Sequence, residues 1–341
     1  MYMSPTFEST CPLNCWDLCG LNVTVENNKV IDIKGQKNHR ITKGFICQKG
    51  KKFVKRIYDS DRLTNPLLKG NESWNEISWD KAIKIISSKL QDCINNDSRS
   101  ILFYSDSAHG GVLKNLESRF FNALGNVTVP RGTLCWSAGM KAQDLDFGLS
   151  VSHDYSDILN SNLVLIWGRN PSDTSIHQMY YIKLAQKNGT KVIVIDPRKT
   201  RTAKQADEYI SLKPGTDGAL ALAMANHIIT NNYHDNKFIS RYVKGFKTFK
   251  KHIEKYTPKW ASKETGIDEN KIKELAYEYA NLGSSSILIG YGIQRYTNSA
   301  NTVRSIDSLA AITGNIGIPG GGANYANKQV TNFIDIPLLT W

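Results

Sequence analysis

The sequence lacks any run of about 18 apolar residues, the length a membrane-crossing helix needs; its longest apolar stretches are short, such as Leu163–Trp167. No spanning helix is expected. Residues 1–10 contain neither a basic start followed by an apolar segment nor an arginine pair, so no export signal is read and the cytoplasm is the expected location. Internal repeats and low-complexity tracts are missing as well, which excludes a solenoid. Cysteine is scarce, with six in 341 residues, and four of them, Cys11, Cys15, Cys19 and Cys47, crowd one end. That is no disulfide framework, and metal binding is the better reading. Acidic residues number 31 against 43 lysines and arginines, giving a formal charge of +12 and a pI near 9.3. Such a charge suits nucleic acid. The basic residues, however, are spread along the chain, with local groups at Lys43 to Arg56 and Lys244 to Lys259, and aromatics are not interleaved among them as a stacking platform requires. No nucleic-acid partner is expected, and attraction to a polyanionic cofactor accounts for the charge as well as a solvated surface does.

With 40% hydrophobic residues, the chain can bury a large core divided among two or three domains. Residues 1–62 hold the cysteines and a predicted β-hairpin, Leu21 to Val25 and Val30 to Ile33 about a turn at Asn27 and Asn28, and read as a small β domain around a metal centre. Ser78 is placed to cap a helix whose apolar positions Ala82, Ile85, Ile86 and Leu90 recur at helical spacing, and Cys93 continues that face as a core residue. The strongest pattern starts at Leu163. A buried strand ends at Gly168-Arg-Asn-Pro171, a helical stretch runs to Asn188, and Lys191 to Asp196 forms a second strand of parallel-sheet type. The cycle repeats in Tyr209 to Leu212, the turn Pro214-Gly-Thr-Asp217 and the helix Gly218 to Ile229; a helix at Glu269 to Asn281, a strand at Ser286 to Gly290 and a helix at Thr302 to Ile312 follow. This alternation predicts a doubly wound α/β domain.

Cys11-x3-Cys15-x3-Cys19, then 27 residues and Cys47, brings four thiolates together if the hairpin folds back. Thiolates suit iron–sulfur clusters and zinc. Structural zinc sites prefer two close pairs, whereas here three cysteines share one loop and a distant fourth closes the set, which favours a [4Fe–4S] cluster while leaving zinc open. Lys49, two positions after Cys47, would put a cation beside a reduced cluster, although an exposed lysine in a lysine-rich stretch explains it too. Gly314-x-x-Gly317-x-x-Gly320 has the wrong spacing and context for a nicotinamide dinucleotide fingerprint.

With the cysteine set, Cys47-Gln-Lys49-Gly50, Asp61-Arg-Leu-Thr-Asn-Pro66 and Ile77-Ser-Trp79-Asp80, the chain resembles the dimethyl sulfoxide reductase family of molybdopterin oxidoreductases. The resemblance continues through Trp167-Gly-Arg-Asn-Pro171, Ile195-Asp-Pro-Arg198, Pro214-Gly-Thr-Asp217 and Thr313-Gly-Asn-Ile-Gly317-Ile-Pro-Gly320, so it covers Cys11 to about Tyr325. It implies an α/β architecture: a [4Fe–4S] β domain at 1–62, the first part of a discontinuous α/β domain at 63–133, a Rossmann-like dinucleotide domain at 134–324, and the start of a returning segment at 325–341. It also implies a molybdenum or tungsten ion held by two molybdopterin guanine dinucleotides in the complete enzyme, with electrons relayed through the cluster. Lys49 matches the lysine between cluster and pterin, and Cys135 in Gly132-Thr-Leu-Cys-Trp-Ser-Ala-Gly139 matches the protein ligand to the metal, although on its own that cysteine reads equally as a small buried residue.

The cofactor's pyrophosphates and guanines call for donors at strand ends and helix N-termini, and for an acid. The matching residues are Gly168, Asn170 and Pro171; Asp196, Arg198 and Thr200; Gly215, Thr216 and Asp217; and Tyr291, Gly292, Gln294 and Arg295, the last standing where the family usually has glutamine. Asp217 reads equally as a helix cap. His177 lies in the same region and His109 precedes Gly110-Gly111, both open to a packing or surface role. Trp136 occupies the place where formate dehydrogenases of the family usually carry histidine, which disfavours formate. The resemblance implies a small-molecule substrate and an electron-transfer protein as partners. Family members run well past this length into a C-terminal domain, so the chain reads as a split subunit completed by a separate C-terminal subunit, as a truncated product or as part of a longer sequence, and alone it is expected to turn over weakly or not at all.

Overall fold

The computed structural model describes residues 4–13, 15, 17–105 and 116–327, and the chain divides into two compact units after Arg131. His109 lies outside the described residues. The first unit begins with a three-stranded antiparallel meander, β1 (Thr6–Thr10), β2 (Gly20–Glu26) and β3 (Lys29–Gly35). Asn27 and Asn28 both take left-handed conformations, φ 47° and 60°, as a two-residue turn matched to the twist of paired strands demands. Two short helices follow, α1 (Gln48–Lys51) and α2 (Phe53–Ile57), and Phe53 packs with Cys19, Leu21 and Ile46 into a small core. A β4 (Leu67–Lys69) and β5 (Trp74–Glu76) hairpin leads to α3 (Trp79–Asp97), whose cap Ser78 accepts the Lys81 amide at 3.2 Å. The helix and its cap match the sequence reading; the burial does not. Among the described residues α3 carries no buried side chain, Ile83 and Ile86 being 59% and 58% exposed, and Cys93 is half-buried and not a core residue. The apolar stripe is present, but no described element covers it. A further helix of this unit is α4 (Leu116–Ala123).

The second unit opens with α5 (Ser137–Phe147) and is built on a five-stranded parallel sheet. The chain runs β6 (Leu163–Trp167), α6 (Pro171–Thr174), α7 (Ile176–Lys187), β7 (Lys191–Ile195), β8 (Glu208–Ile210), then α8 (Asp217–Thr230), α9 (Asn236–Tyr242), α10 (Phe246–Ile253), α11 (Pro258–Thr265) and α12 (Glu269–Asn281) before β9 (Ser285–Ile289), α13 (Ser299–Ile312) and β10 (Gly322–Asn324). The strand order is β10-β9-β6-β7-β8. Successive side chains of a strand point to opposite faces, and both faces are dressed. Leu163, Leu165, Trp167, Ile193, Ile195, Ile287 and Ile289 join the core made with α5, α8, α12 and α13, while Val164, Ile166, Val192, Val194 and Leu288 pack with Met179, Ile182 and Ala185 of α7. Each such side chain contributes about 1.5–3 kcal/mol by leaving water. The sheet is doubly wound, as the alternation of runs predicts.

From β6 the chain winds first toward β7 and β8, then returns to add β9 and β10 on the other side of β6. The strand order therefore reverses between β6 and β9, and the crevice of such a sheet lies at the carboxyl ends of these two strands. Two glycines stand there. Gly168 takes φ 62°, and a Cβ on Gly290 would lie 1.8 Å from the Gly168 carbonyl oxygen. No side chain fits between these backbones, so Gly290→Ala must push β6 and β9 apart. The expected outcome is a loss at or above the upper end of the about 1–3 kcal/mol typical of an overpacked core, read as a lower denaturant midpoint with an unchanged slope.

Helices α5 and α13 meet through polar groups, the Gln143–Asp307 pair buried and the Arg304–Asp146 pair nearer the surface. Gln143 donates to Asp307 Oδ1 at 3.0 Å and to the Ala323 carbonyl at 2.9 Å, and Arg304 donates to Asp146 Oδ1 at 2.7 Å. Burial holds the Asp307 carboxyl well above the usual carboxylate range, and the neighbouring Asp146 adds to the effect. A carboxyl raised in the native state contributes stability that is complete below the unfolded value, about 4, and is lost as pH rises through the native value. Asp307→Asn, which mimics the neutral acid, is expected to flatten that alkaline decline. Thermal melts from pH 5 to 9 should place the variant a few degrees above the parent at the alkaline end, about the shift 1 kcal/mol produces in a domain of this size.

Candidate functional site

The four N-terminal cysteines come from two chain segments. Cys11, Cys15 and Cys19 lie on the loop between β1 and β2, which the Cys11 amide closes onto the Cys19 carbonyl at 2.9 Å, and Cys47 precedes α1 as its N-cap. Cys19 is buried and the other three are half-buried, and Cys11 and Leu13 pack on the small apolar core. Burial raises the Cys11 thiol and pushes the Cys15 thiol up to about 11, with Cys19 and Cys47 close enough to add to both effects. A bare thiolate is therefore disfavoured here, and a soft cationic centre would supply the missing compensation. Lys49 acts on Cys11 in the opposite sense, favouring the anion. Among the described residues no three His, Cys, Asp or Glu side chains converge on a single ion. The donor set, sulfur only and drawn from two segments, fits a cluster of several metals.

The remaining candidates line the carboxyl edge of the parallel sheet. After Trp167 the chain turns at Gly168, whose amide donates to the Ile195 carbonyl at 2.8 Å, and enters α6 with Pro171 at its first position. Asn170 is fixed on both sides, donating to Asp173 at 2.6 Å and accepting the Thr202 hydroxyl at 2.7 Å. Thr202, fully buried, also accepts the Ser172 amide at 3.1 Å and so ties this turn to the loop after β7. It is a supporting residue with no sequence signal beyond its type. On that loop Asp196 accepts the Arg198 amide at 2.8 Å, and Thr200 accepts the Ala203 amide at 3.1 Å. Burial raises the Asp196 carboxyl.

Beyond β8, Gly215 takes φ 81° beneath the ring of Tyr296, and Thr216 and Asp217 begin α8. Asp217 is 6% exposed, and one carboxylate oxygen accepts the Trp167 indole N–H at 2.9 Å. The last side chain of β6 thus aims the acid at the head of α8. Burial raises the Asp217 carboxyl, and Asp196 adds to this. Two acids that feel each other near helix starts suit recognition of a base bearing ring and amino N–H groups.

Cys135 lies on the turn into α5, half-buried, its amide 3.3 Å from the Thr133 hydroxyl. Tyr291 and Gly292 belong to the 3-10 turn Tyr291–Arg295 that follows β9, and the Tyr291 ring meets those of Trp136 at 5.8 Å and Tyr325 at 5.1 Å. Arg295 is exposed, whereas Gln294 is 7% exposed and its amide is bonded to the protein. His177 is buried in the first turn of α7. The switch-point crevice thus gathers Gly168, Asn170, Asp196, Gly215, Asp217 and Gly292 on one edge, and the Cys135 turn joins it through Gln294, Tyr291 and Tyr325. The glycines, lacking a Cβ, let phosphate approach the backbone closely, and the acids supply acceptors, which fits a guanine dinucleotide.

Residues 62–334 match the family described as molybdopterin oxidoreductase, and residues 5–59 match the molybdopterin oxidoreductase Fe4S4 domain. The chain is 41% identical over 329 residues to the probable oxidoreductase YyaE of Bacillus subtilis, with 96% of this chain and 49% of that protein covered. It is 34% identical to the F420-dependent formate dehydrogenase subunit alpha of Methanocaldococcus jannaschii, covering 94% and 48%. It is 31% identical to the dimethyl sulfoxide reductase DmsA of Escherichia coli, covering 97% and 46%. Among solved structures, acetylene hydratase from Pelobacter acetylenicus superposes with a TM-score of 0.75 at 28% identity, over 92% of this chain and 44% of that one. The chain therefore spans about half the length of the relatives it matches. No helix among the described residues is long and apolar enough to cross a membrane. By these matches the chain belongs to the dimethyl sulfoxide reductase family of molybdopterin oxidoreductases, whose cofactors are a [4Fe–4S] cluster and a molybdenum or tungsten ion held by molybdopterin guanine dinucleotide.

Proposed function

We propose that this chain is the cluster-bearing and dinucleotide-binding portion of a molybdopterin-dependent oxidoreductase, with Cys11, Cys15, Cys19 and Cys47 as cluster ligands and Cys135 as the protein ligand to the metal. The observation that carries the reading is the switch-point crevice, where the Gly168 carbonyl and Gly290 touch and Asp217 is held by Trp167. When bound, the pterin-held metal supplies two-electron redox chemistry, and the cluster moves electrons singly. The chain's own part is binding and orientation. Gly168, Asn170 and Pro171 present backbone to phosphate at the start of α6; Asp196, Arg198 and Thr200 border the same edge; Gly215, Thr216 and Asp217 receive the base; Tyr291, Gly292 and Arg295 close the far side. Lys49 favours the anionic state of Cys11.

The substrate is a small molecule, and electrons are exchanged with a separate protein. Trp136 follows Cys135, and its indole packs edge-on against Tyr291. An aromatic there offers no titratable nitrogen to a carboxylate substrate, which supports a substrate other than formate. The chain spans about half the length of the relatives it matches, and the activity proposed here is that of the whole enzyme.

Anaerobic purification followed by metal and acid-labile sulfide analysis tests this reading. About four irons per chain are expected, and stoichiometric zinc without iron would overturn it. Cys47→Ser should lower the iron while sparing bound guanine nucleotide. Cys135→Ala should spare both and remove any turnover of the reconstituted enzyme, a loss of at least about 10²-fold, or about 2.7 kcal/mol of barrier; turnover equal to the parent would take Cys135 out of the mechanism.

A further inference from the structure

Helix α5 begins without a side-chain cap of its own. Its N-cap is Trp136, which makes no capping hydrogen bond, so the first-turn amides need acceptors from elsewhere. The Gly139 amide finds one 155 residues away. It donates to Gln294 Oε1 at 3.0 Å, and the same amide group sends Nε2 to the Leu134 carbonyl at 3.1 Å. Tyr325 completes the arrangement, its hydroxyl 2.9 Å from Gln294 Oε1 and 3.2 Å from the Trp136 carbonyl. Leu134 and Trp136 are the two neighbours of Cys135. The orientation of the Gln294 amide is fixed by chemistry, because its oxygen meets the Gly139 N–H and its nitrogen a carbonyl, while the single Tyr325 hydroxyl proton is shared between the Gln294 and Trp136 oxygens. Gly139 is what admits the ring, since a Cβ there would lie 2.2 Å from Tyr325 Cζ.

We propose that Gln294 and Tyr325 are positioning residues for Cys135, clamping the peptide groups on either side of it and capping the helix it precedes, so that the thiol is held in place by elements far along the chain. This rests on the reading of Cys135 as the metal ligand. Gln294 is 7% exposed with its donor and acceptor sides both engaged, which assigns it to the turn rather than to direct contact with the cofactor. The two ties differ in kind, and that makes them separable. Glutamate at 294 keeps the acceptor for Gly139 and loses the donor to Leu134; leucine loses both.

Hydrogen exchange at the Gly139 amide and the rate of Cys135 alkylation by iodoacetamide, followed peptide by peptide in the full chain, report the clamp without any turnover assay. Gln294→Leu is expected to speed Gly139 exchange about tenfold or more, the scale of one lost buried hydrogen bond, and to change Cys135 alkylation severalfold, with the amides of β6 unaffected. Gln294→Glu should keep the Gly139 protection and still change the alkylation rate. Tyr325→Phe, which retains the ring over Gly139, should fall between parent and Gln294→Leu. Wild-type exchange and alkylation in Gln294→Leu would overturn the proposal. If that variant loosens β6 as well, Gln294→Glu decides: wild-type alkylation there overturns it, and altered alkylation with an intact Gly139 amide supports it. In cofactor-loaded protein the Gln294 variants should alter the metal–sulfur signature in X-ray absorption while iron and guanine contents stay at parent levels. A Cys135→Ala chain with an unchanged metal–sulfur signature would remove the ligand reading and leave the exchange result on the clamp standing.

Discussion

Two backbone segments touch where the sheet changes direction, and much of the second unit is arranged around that contact. The Gly168 carbonyl stands where a Cβ of residue 290 would be, so β6 and β9 can lie side by side through their last residues with no side chain parting them. From that closeness follow the left-handed turn at Gly168, the start of α6 at Pro171 and the seat of Ile293 beside Gly168. The polar groups that make the crevice selective are set from the same point. Trp167, one residue before the contact, reaches Asp217, and the 3-10 turn beginning one residue after Gly290 carries Gln294 to Cys135.

The site is thus a set of loops held by side chains that do not themselves face a ligand. Thr202 binds Asn170 and the Ser172 amide; Trp167 binds Asp217; Gln294 and Tyr325 bind the peptide groups around Cys135. The ties are part-buried or buried hydrogen bonds, and where water cannot take over, losing one leaves a donor or acceptor stranded, which costs more than the bond's net contribution. Such second-tier contacts fix the reacting groups more tightly than the loops alone could.

The parts legible in the sequence are those where composition and geometry coincide. Leu163 to Trp167 and Val192 to Ile195 are buried on both faces, and continuous apolar runs announce such strands. Asn27-Asn28 marks its turn because asparagine tolerates positive φ. Strand β10 is three small residues, Gly322–Asn324, with no period to detect, and β1 is a polar, fully exposed strand. The lysine-rich stretch from Lys244 reads as charge, yet forms α10 and α11 because Phe246, Phe249 and Ala261 face the core. Apolar spacing in α3 predicts the helix correctly and its burial incorrectly, since periodicity says which face is apolar and not what lies against it. The Gln294 clamp has no signature at all. A glutamine 155 residues from the amide it caps is found only in three dimensions.

The glycine-rich segment after α13 has a kinetic consequence. Its Gly320 carbonyl accepts the Ser161 hydroxyl, its Gly320 amide donates to Asp157, and the Asn324 and Ala326 that follow bond the residues from Ser150 to His153. The stretch leading into the first strand of the sheet therefore meets its permanent neighbours only after about half of the chain has been made behind it. On the ribosome β6 and β7 emerge together and can pair early, but the open edge of β9 and the polar groups before β6 must wait. Closure over so long a separation is slow relative to local pairing. The glycine that lets the backbone pass so near Asn160 is thus what allows this long-range closure to form at all.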